Sequence, residues 1–544
     1  MWHFFSLDKP YRNIESIYNR PDFSYEERIE YFTLSESDLE ILAGFRSIKS
    51  QVHFILQLGY FRAKHLFFIF TLDEVNSDSQ YIMEQYFSSR EIQIEGITVI
   101  DNQTRLKQQR LILELYSYRN CGKQERQELE KKAQQAAMVY SKPIYVFREL
   151  VNYLTKHQII LPGYSLMQDL VSQALTSEQN RLITIINSQL QTDEVSAFKK
   201  LLEDATGLYE ITQLKHEPKD FSLKEIKQEI QRGEQLFSFY QIAQKLLPEM
   251  GISSENIKYY ASLVGYYSVA RLKRLDEWTA YIYIICFAYH RYQQRSDHLI
   301  NCLISRVRNY NDAAKISAKE QLQEYHVEIN ENLQKAGQVL KLMTDESIPA
   351  DTPFKTFQSN AFGILPRQKL IIVADRMAKA VSFDETASQW EYIDKLSRQF
   401  KLHLRQVIMT VEFTSISSQD TLIEAVDFLK AAFKKGKPLK EFQSDLFPVE
   451  CFPVSVTSYL YTQESNQQKQ LIPDRYEFLI YRLLRNGLES GDISCRDSIC
   501  FRSLEDDLID DLRWQDKQSL EGDSYAVIST PREIEEIMMR KELV

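Results

Sequence analysis

The stretch Phe45–Phe68, FRSIKSQVHFILQLGYFRAKHLFF, decides the reading of this chain. Ile48, Val52, Ile55, Leu56 and Gly59 recur at the 3.6-residue period, which predicts a helix from Ile48 to about Phe61. Just upstream, SESDLE offers Ser37 with Glu40 three residues on, a capping box that opens a shorter helix. Gly44 is expected to end that helix as a C′ glycine. Two helices joined by a short glycine-containing turn are also the outline of a helix-turn-helix. Opposite the apolar face lie Lys49, Ser50, His53 and Gln57, with Lys64 continuing the line.

The charge pattern sharpens the question. The chain holds 76 Asp+Glu against 66 Lys+Arg, a net charge of −10, which argues against a uniformly basic surface. Yet from Ile41 to Leu72 there is no Asp or Glu, while Arg46, Lys49, Arg62 and Lys64 stand there with His53 and His65. An anionic partner would account for this, because a carboxylate beside phosphate opposes binding. Lysine neutralises phosphate, and Gln or Ser can hydrogen-bond base edges. A solvated helix face is the plainer alternative, and the pattern alone leaves both open. The signal returns from Asn256 to Ser296, where the only acids are Asp276 and Glu277 and where Arg271, Lys273, Arg274, Arg291 and Arg295 supply charge. Most tyrosines of that segment fall at helical spacing and are expected to pack in a core. Arg105–Lys132 mixes eight basic residues with four Glu and reads as a solvated helix with i,i+4 pairs.

At 544 residues the chain has room for several domains, at roughly 100–200 residues each. Hydrophobic residues at 44% and charged residues at 26% describe a globular protein. With 15 Gly and 14 Pro, tight turns are few, which favours long helices. The expected fold is mainly α: a multi-domain helical protein with helix-turn-helix-like DNA-binding modules. Domains are expected at 1–142, 143–247, 248–347, 348–475 and 476–544. Pro143 should open a helix, and Pro162-Gly163 should form a turn. Between Pro248 and Pro349 there is no proline, so long helices should run there, with breaks near Gly265 and Asn309–Asp312. SIPADTPFKTF, Ser347–Phe357, carries the punctuation of a linker. In SQDTLIEAVDFLKAAFKKGK, Ser418 should cap a helix and Gly436 stop it.

Signals for other chemistry are weak. The six cysteines are scattered, and only Cys495 and Cys500 are close, as C-x4-C with no matching pair, so reduced thiols are expected. The N-terminus lacks a signal-peptide core. AYIYIICFAY, Ala280–Tyr289, is the most apolar run and too short to span a bilayer. A soluble, cytoplasmic protein is expected. No P-loop, G-x-G-x-x-G, H-E-x-x-H or G-x-S-x-G occurs. Asp375, after the apolar KLIIVA, could be a metal-binding carboxylate at a strand end, but the downstream SQWEYIDKLSRQFKLHLRQ is helical in pattern. The EDDLIDD cluster, Glu505–Asp511, reads as a solvated face.

Several elements together resemble the N-terminal region of Tn-three-type transposases of replicative class II transposons. FTLSESDLEIL followed by FILQLGYFR is similar to that family's opening. Ile160-Leu161-Pro162-Gly163 resembles its LPG turn, and YYSVARLKRL with HRYQQRSDHLINCLISRV its middle region. GILPRQKL resembles an LPR element, and YEFLIYRLLRNGLESGDISC the segment that precedes the catalytic part. These run in family order over roughly residues 20–515. The resemblance implies helical domains that bind double-stranded DNA at terminal inverted repeats, with homodimers or association with an intact transposase as further partners, in bacterial cytoplasm at the nucleoid. It places cleavage in an RNase H-like domain with a divalent metal, which this chain, read as truncated, would lack. No catalytic residue, metal ligand or cofactor of its own is therefore expected. The DNA-binding residues expected are Arg46, Lys49, Ser50, His53, Gln57, Arg62, Lys64, Arg271, Lys273, Arg274, Arg291 and Arg295. The alternative is a non-enzymatic helical scaffold that binds protein partners.

Overall fold

The computed structural model describes residues 15–87, 100–203, 209–349, 351–379, 383–415, 420–462 and 470–503. These are almost wholly helical, as expected. The one sheet among them pairs Thr414–Ser415 antiparallel with Ile493–Ser494. The described residues fall into two compact units, 15–200 with 244–287, and 201–243 with 288–503. That grouping is coarser than the five expected domains.

In the first unit the helix Ile48–Lys64 is the axis of the N-terminal core. Ser47 caps it, its side chain accepting from the Ser50 N–H, and His65 ends it in the left-handed conformation (φ 51°). The preceding helix, Glu36–Ala43, begins earlier than expected: Ser35, not Ser37, is its cap. The Ser35 N–H donates to Asp38 Oδ2 at 2.7 Å and the Asp38 N–H to Ser35 Oγ at 3.3 Å. Both serines have an acid three residues on. The earlier frame prevails because Asp38 also receives Arg62 at 2.6 Å. Gly44 does end the helix, but with φ −71°, so it is not a left-handed C′ glycine.

A second core joins the helices Lys123–Val139, Pro143–Lys156 and Tyr164–Gln189 through Leu129, Ala133, Val146, Phe147, Leu150 and Met167. Small Ala133, Ala136 and Ala137 let the first of these helices lie close to its neighbours. This core crosses the boundary expected at residue 142. Pro143 opens its helix as expected, and Gly163 precedes the next.

The second unit is built around Leu299, Leu303, Val307, Phe400, Leu404, Phe478 and Tyr481. The helix Glu277–Met343 runs without the break expected at Asn309–Asp312, because buried Val307, Tyr310 and Ala314 hold that stretch in the core. A break near Gly265 does occur, the helix Ser254–Tyr266 ending there. Ala336 and Val339 pack against Ala361, Leu365 and Val373, so the proline-rich Ser347–Phe357 joins packed helices rather than separate domains. KLIIVA lies in the helix Arg367–Lys379. Gly436 follows the helix Asp420–Lys434 with φ 64°. Ser418 and the Glu505–Asp511 cluster lie outside the described residues.

Candidate nucleic-acid interface

The opening helix is not a recognition helix. Every residue from Val52 to Phe61 is buried. His53 is 2% exposed and Gln57 0%. The His53 Nδ1 lies 2.6 Å from Gln108 Oε1, its ring stacks on Phe70, and Gln108 Nε2 donates to the Ser50 carbonyl at 2.8 Å. Gln57 Nε2 donates to the Phe68 carbonyl at 2.7 Å. Arg62 is consumed internally: it donates to Tyr116 Oη, the Tyr31 and Thr33 carbonyls and Asp38. Lys64 is half-buried, and burial lowers its pKa. The expectation that Lys49, Ser50, His53 and Gln57, continued by Lys64, form one DNA-facing side is therefore corrected at His53 and Gln57, and Arg62, expected on DNA separately, is engaged within the protein. An amphipathic pattern shows which face must be buried; it does not show that the opposite face is free, since a third element can cover it.

Burial explains the missing acids of Val52–Phe61, the middle of the acid-free run. A carboxylate among Val52–Phe61 would lose its hydration, which costs several kcal/mol or shifts its protonation. Arg46 remains exposed, and Lys49 and Ser50 are partly so. Positive potential gathers at this end of the helix. The His53 pKa is lowered, first by burial and then by the charges of Arg105 and Lys49, against the hydrogen bond to Gln108 Oε1, which raises it.

The second acid-poor segment divides. Arg291 and Arg295, in the second unit, are each 5% exposed. Arg291 pairs with buried Glu229 at 2.7 Å and reaches the His216 carbonyl. The Arg295 guanidinium lies 4.7 Å from the Tyr292 ring centre and fills the space left by Gly233. Both are core residues, which corrects their expected role on DNA. Arg271, Lys273 and Arg274, in the first unit, are all exposed.

In the same unit the structure brings together residues that sequence reasoning missed. Asn256 ties the helix Ser254–Tyr266 to the turn before Pro143–Lys156: its Oδ1 accepts from the Ser141 N–H at 2.7 Å and its Nδ2 donates to the Met138 carbonyl at 3.2 Å. Ser253 Oγ donates to the Val139 carbonyl at 2.7 Å. This clasp seats the Lys142 ammonium between Tyr145 (5.6 Å) and Tyr259 (5.1 Å). The Arg148 guanidinium lies 5.8 Å from the Tyr145 ring centre. Further along, the Arg271 guanidinium sits 4.0 Å from the Tyr267 ring centre. From Asn256 to Leu275 there is no acid, and Lys258, Arg271, Lys273 and Arg274 are exposed. Burial cannot account for that acid-free run. Lys142, Tyr145 and Arg148 carried no sequence signal because the helix that completes their surface is distant along the chain.

Among the described residues no group of three His, Cys, Asp or Glu could hold a metal ion. Asp375 is exposed on its helix. Cys495 is buried and Cys500 exposed, and both are free thiols. No described helix is long and apolar enough to cross a membrane.

Residues 11–174 match a family model described as a domain of unknown function, DUF4158. The match takes in the buried residues of the first unit's second core, of which Ala174 is the last. Over 502 residues the chain is 17% identical to the transposase for transposon Tn3926 of Escherichia coli, covering 91% of this chain and 48% of that protein. Over 521 residues it is 20% identical to the transposase for transposon Tn1546 of Enterococcus faecium, covering 89% and 48%. The chain thus spans about half the length of these relatives. Over most of its own length the chain is therefore similar to about half of each of two transposon transposases.

Proposed function

We propose that this chain binds double-stranded DNA, specifically the terminal inverted repeats of a transposon, through its first unit. The observations that carry the reading are the cluster of Lys142, Arg148, Tyr145 and Tyr259, the Arg271 guanidinium over Tyr267, and the exposed Lys258, Lys273 and Arg274 of the same acid-free run. Cations there can neutralise phosphates, while tyrosine rings offer flat apolar faces to sugar and base. The net charge of −10 makes such a basic surface more telling, because the chain as a whole repels DNA. We assign binding to these residues and no strand cleavage. The reading keeps DNA as partner, and moves the contact away from the Ile48–Lys64 helix, whose exposed contribution reduces to its Arg46 and Lys49 end.

The test is fluorescence anisotropy of a labelled terminal-repeat duplex against a scrambled duplex over a salt series. Tighter binding to the repeat, weakening as salt rises, is expected. Binding that is absent or independent of salt would sink the proposal. One observation favours a scaffold as the second reading: Phe354, Ile371, Ile372 and Met377 of the second unit are exposed apolar side chains. A chain that ignores DNA and captures a protein only while Ile371 and Ile372 stay apolar would establish it.

A further inference from the structure

Tyr266 is 83% exposed, the most exposed aromatic among the described residues. It is the last residue of the helix Ser254–Tyr266, and its surroundings are stiff. The Tyr267 N–H closes the helix onto the Leu263 carbonyl at 2.8 Å. Ser268 at once caps the next short helix, Val269–Leu272, its side chain accepting from the Arg271 N–H at 3.3 Å. Tyr267 turns to the Arg271 guanidinium, and its ring centre stands 6.2 Å from that of Tyr266. The Tyr266 ring therefore projects from a two-residue corner between two capped helices, and Arg271, Lys273 and Arg274, a few residues on, are exposed.

We infer that Tyr266 is a wedge that enters the DNA groove and unstacks one base step of the bound repeat. This rests on the DNA-binding reading above and extends it to a deformation of the duplex. An exposed aromatic ring on a rigid corner keeps its apolar faces in water in the free protein, so insertion beside a base recovers that burial without ordering a flexible loop. The exposed cations that follow the ring in the chain can hold phosphates near the step, and a wedge with phosphate contacts close by is the means by which proteins bend DNA. The hydroxyl at the ring's tip can stay with water or a sugar oxygen while the faces stack. The deformation contributes specificity, because pyrimidine–purine steps open more readily than others.

The test places 2-aminopurine at successive positions of the terminal repeat and compares the wild-type chain with Tyr266→Phe and Tyr266→Ala. The wild type should raise fluorescence at one step only. Tyr266→Phe should keep that rise. Tyr266→Ala should lose it, with affinity for the repeat down about tenfold. Circular dichroism of the variants confirms that each is folded, so a lost signal reports the ring. Wild-type binding with no fluorescence rise at any position, or a rise that survives in Tyr266→Ala, overturns the wedge while leaving DNA binding standing. A wild-type chain that does not bind the repeat overturns both.

Discussion

Gln57 shows at single-residue scale how a polar side chain on the apparent outer face of a helix can be structural. Its amide satisfies the Phe68 carbonyl inside the core. Gln57→Ala leaves that carbonyl without its donor, so it should lower stability by about 1–3 kcal/mol. Because the side chain is buried, preference for the repeat over scrambled DNA should not change once the variant is shown to be folded. Denaturant unfolding and the binding ratio check the two halves separately. His53 adds a pH dependence with a definite sign. Its folded pKa lies below its ordinary 6.5, by burial first and then by Arg105 and Lys49. Above 6.5 both folded and unfolded states are neutral and its contribution is complete. As pH falls through 6.5 toward the folded value, the unfolded state takes up the proton first and stability declines. His65, partly buried, shifts in the same direction through burial. Melting temperature should therefore fall on acidification from about pH 7 to 5, and the fall should be shallower in His53→Gln. A profile identical to wild type would show that His53 carries no such linkage.

At the scale of elements, the Ile48–Lys64 helix packs so closely on Tyr25–Phe32 that a Cβ at Gly59 would run into the Phe32 ring. Gly59→Ala should cost about 1–3 kcal/mol through overpacking, despite the higher helix propensity of alanine. A gain in stability on thermal melting would show that Phe32 moves aside freely. This helix also shows what the sequence could and could not convey. Its position and apolar face were legible from the spacing of Ile48, Val52, Ile55 and Gly59, and its role was not. Gln108, which covers His53, lies on a separate helix far along the chain, and nothing local announces that contact. The same limit governs Ser35 against Ser37: both fit a capping box, and the choice is made by Arg62, a tertiary partner. Of the residues expected on DNA, Arg271, Lys273 and Arg274 are exposed in the candidate surface, whereas Arg291 and Arg295 serve the core. Identical residue types on adjoining helices were divided by burial, which composition cannot supply. Proline and glycine were more dependable where they act locally, as at Pro143 and Gly436.

For the whole molecule, the two acid-poor segments have different causes, and that difference yields a measurement. Around Val52–Phe61 acids are absent because the core excludes them; from Asn256 to Leu275 they are absent from a surface. Only the second absence predicts an electrostatic partner. Each phosphate that a cation neutralises releases a counterion, so the slope of log affinity against log salt counts those contacts at about 0.9 each on duplex DNA. Replacing Arg271, Lys273 and Arg274 together with alanine should therefore flatten the slope by about 2–3 and weaken binding to repeat and scrambled duplexes alike. Removing an equal charge at exposed Lys219, Lys224 and Lys227 of the second unit provides the control, since the change in net charge is the same. If binding responds merely to overall charge, both triple variants will shift it equally. If the contact lies on the first unit's surface, only the first will change the slope. Equal slopes in all three proteins would remove Arg271, Lys273 and Arg274 from the interface.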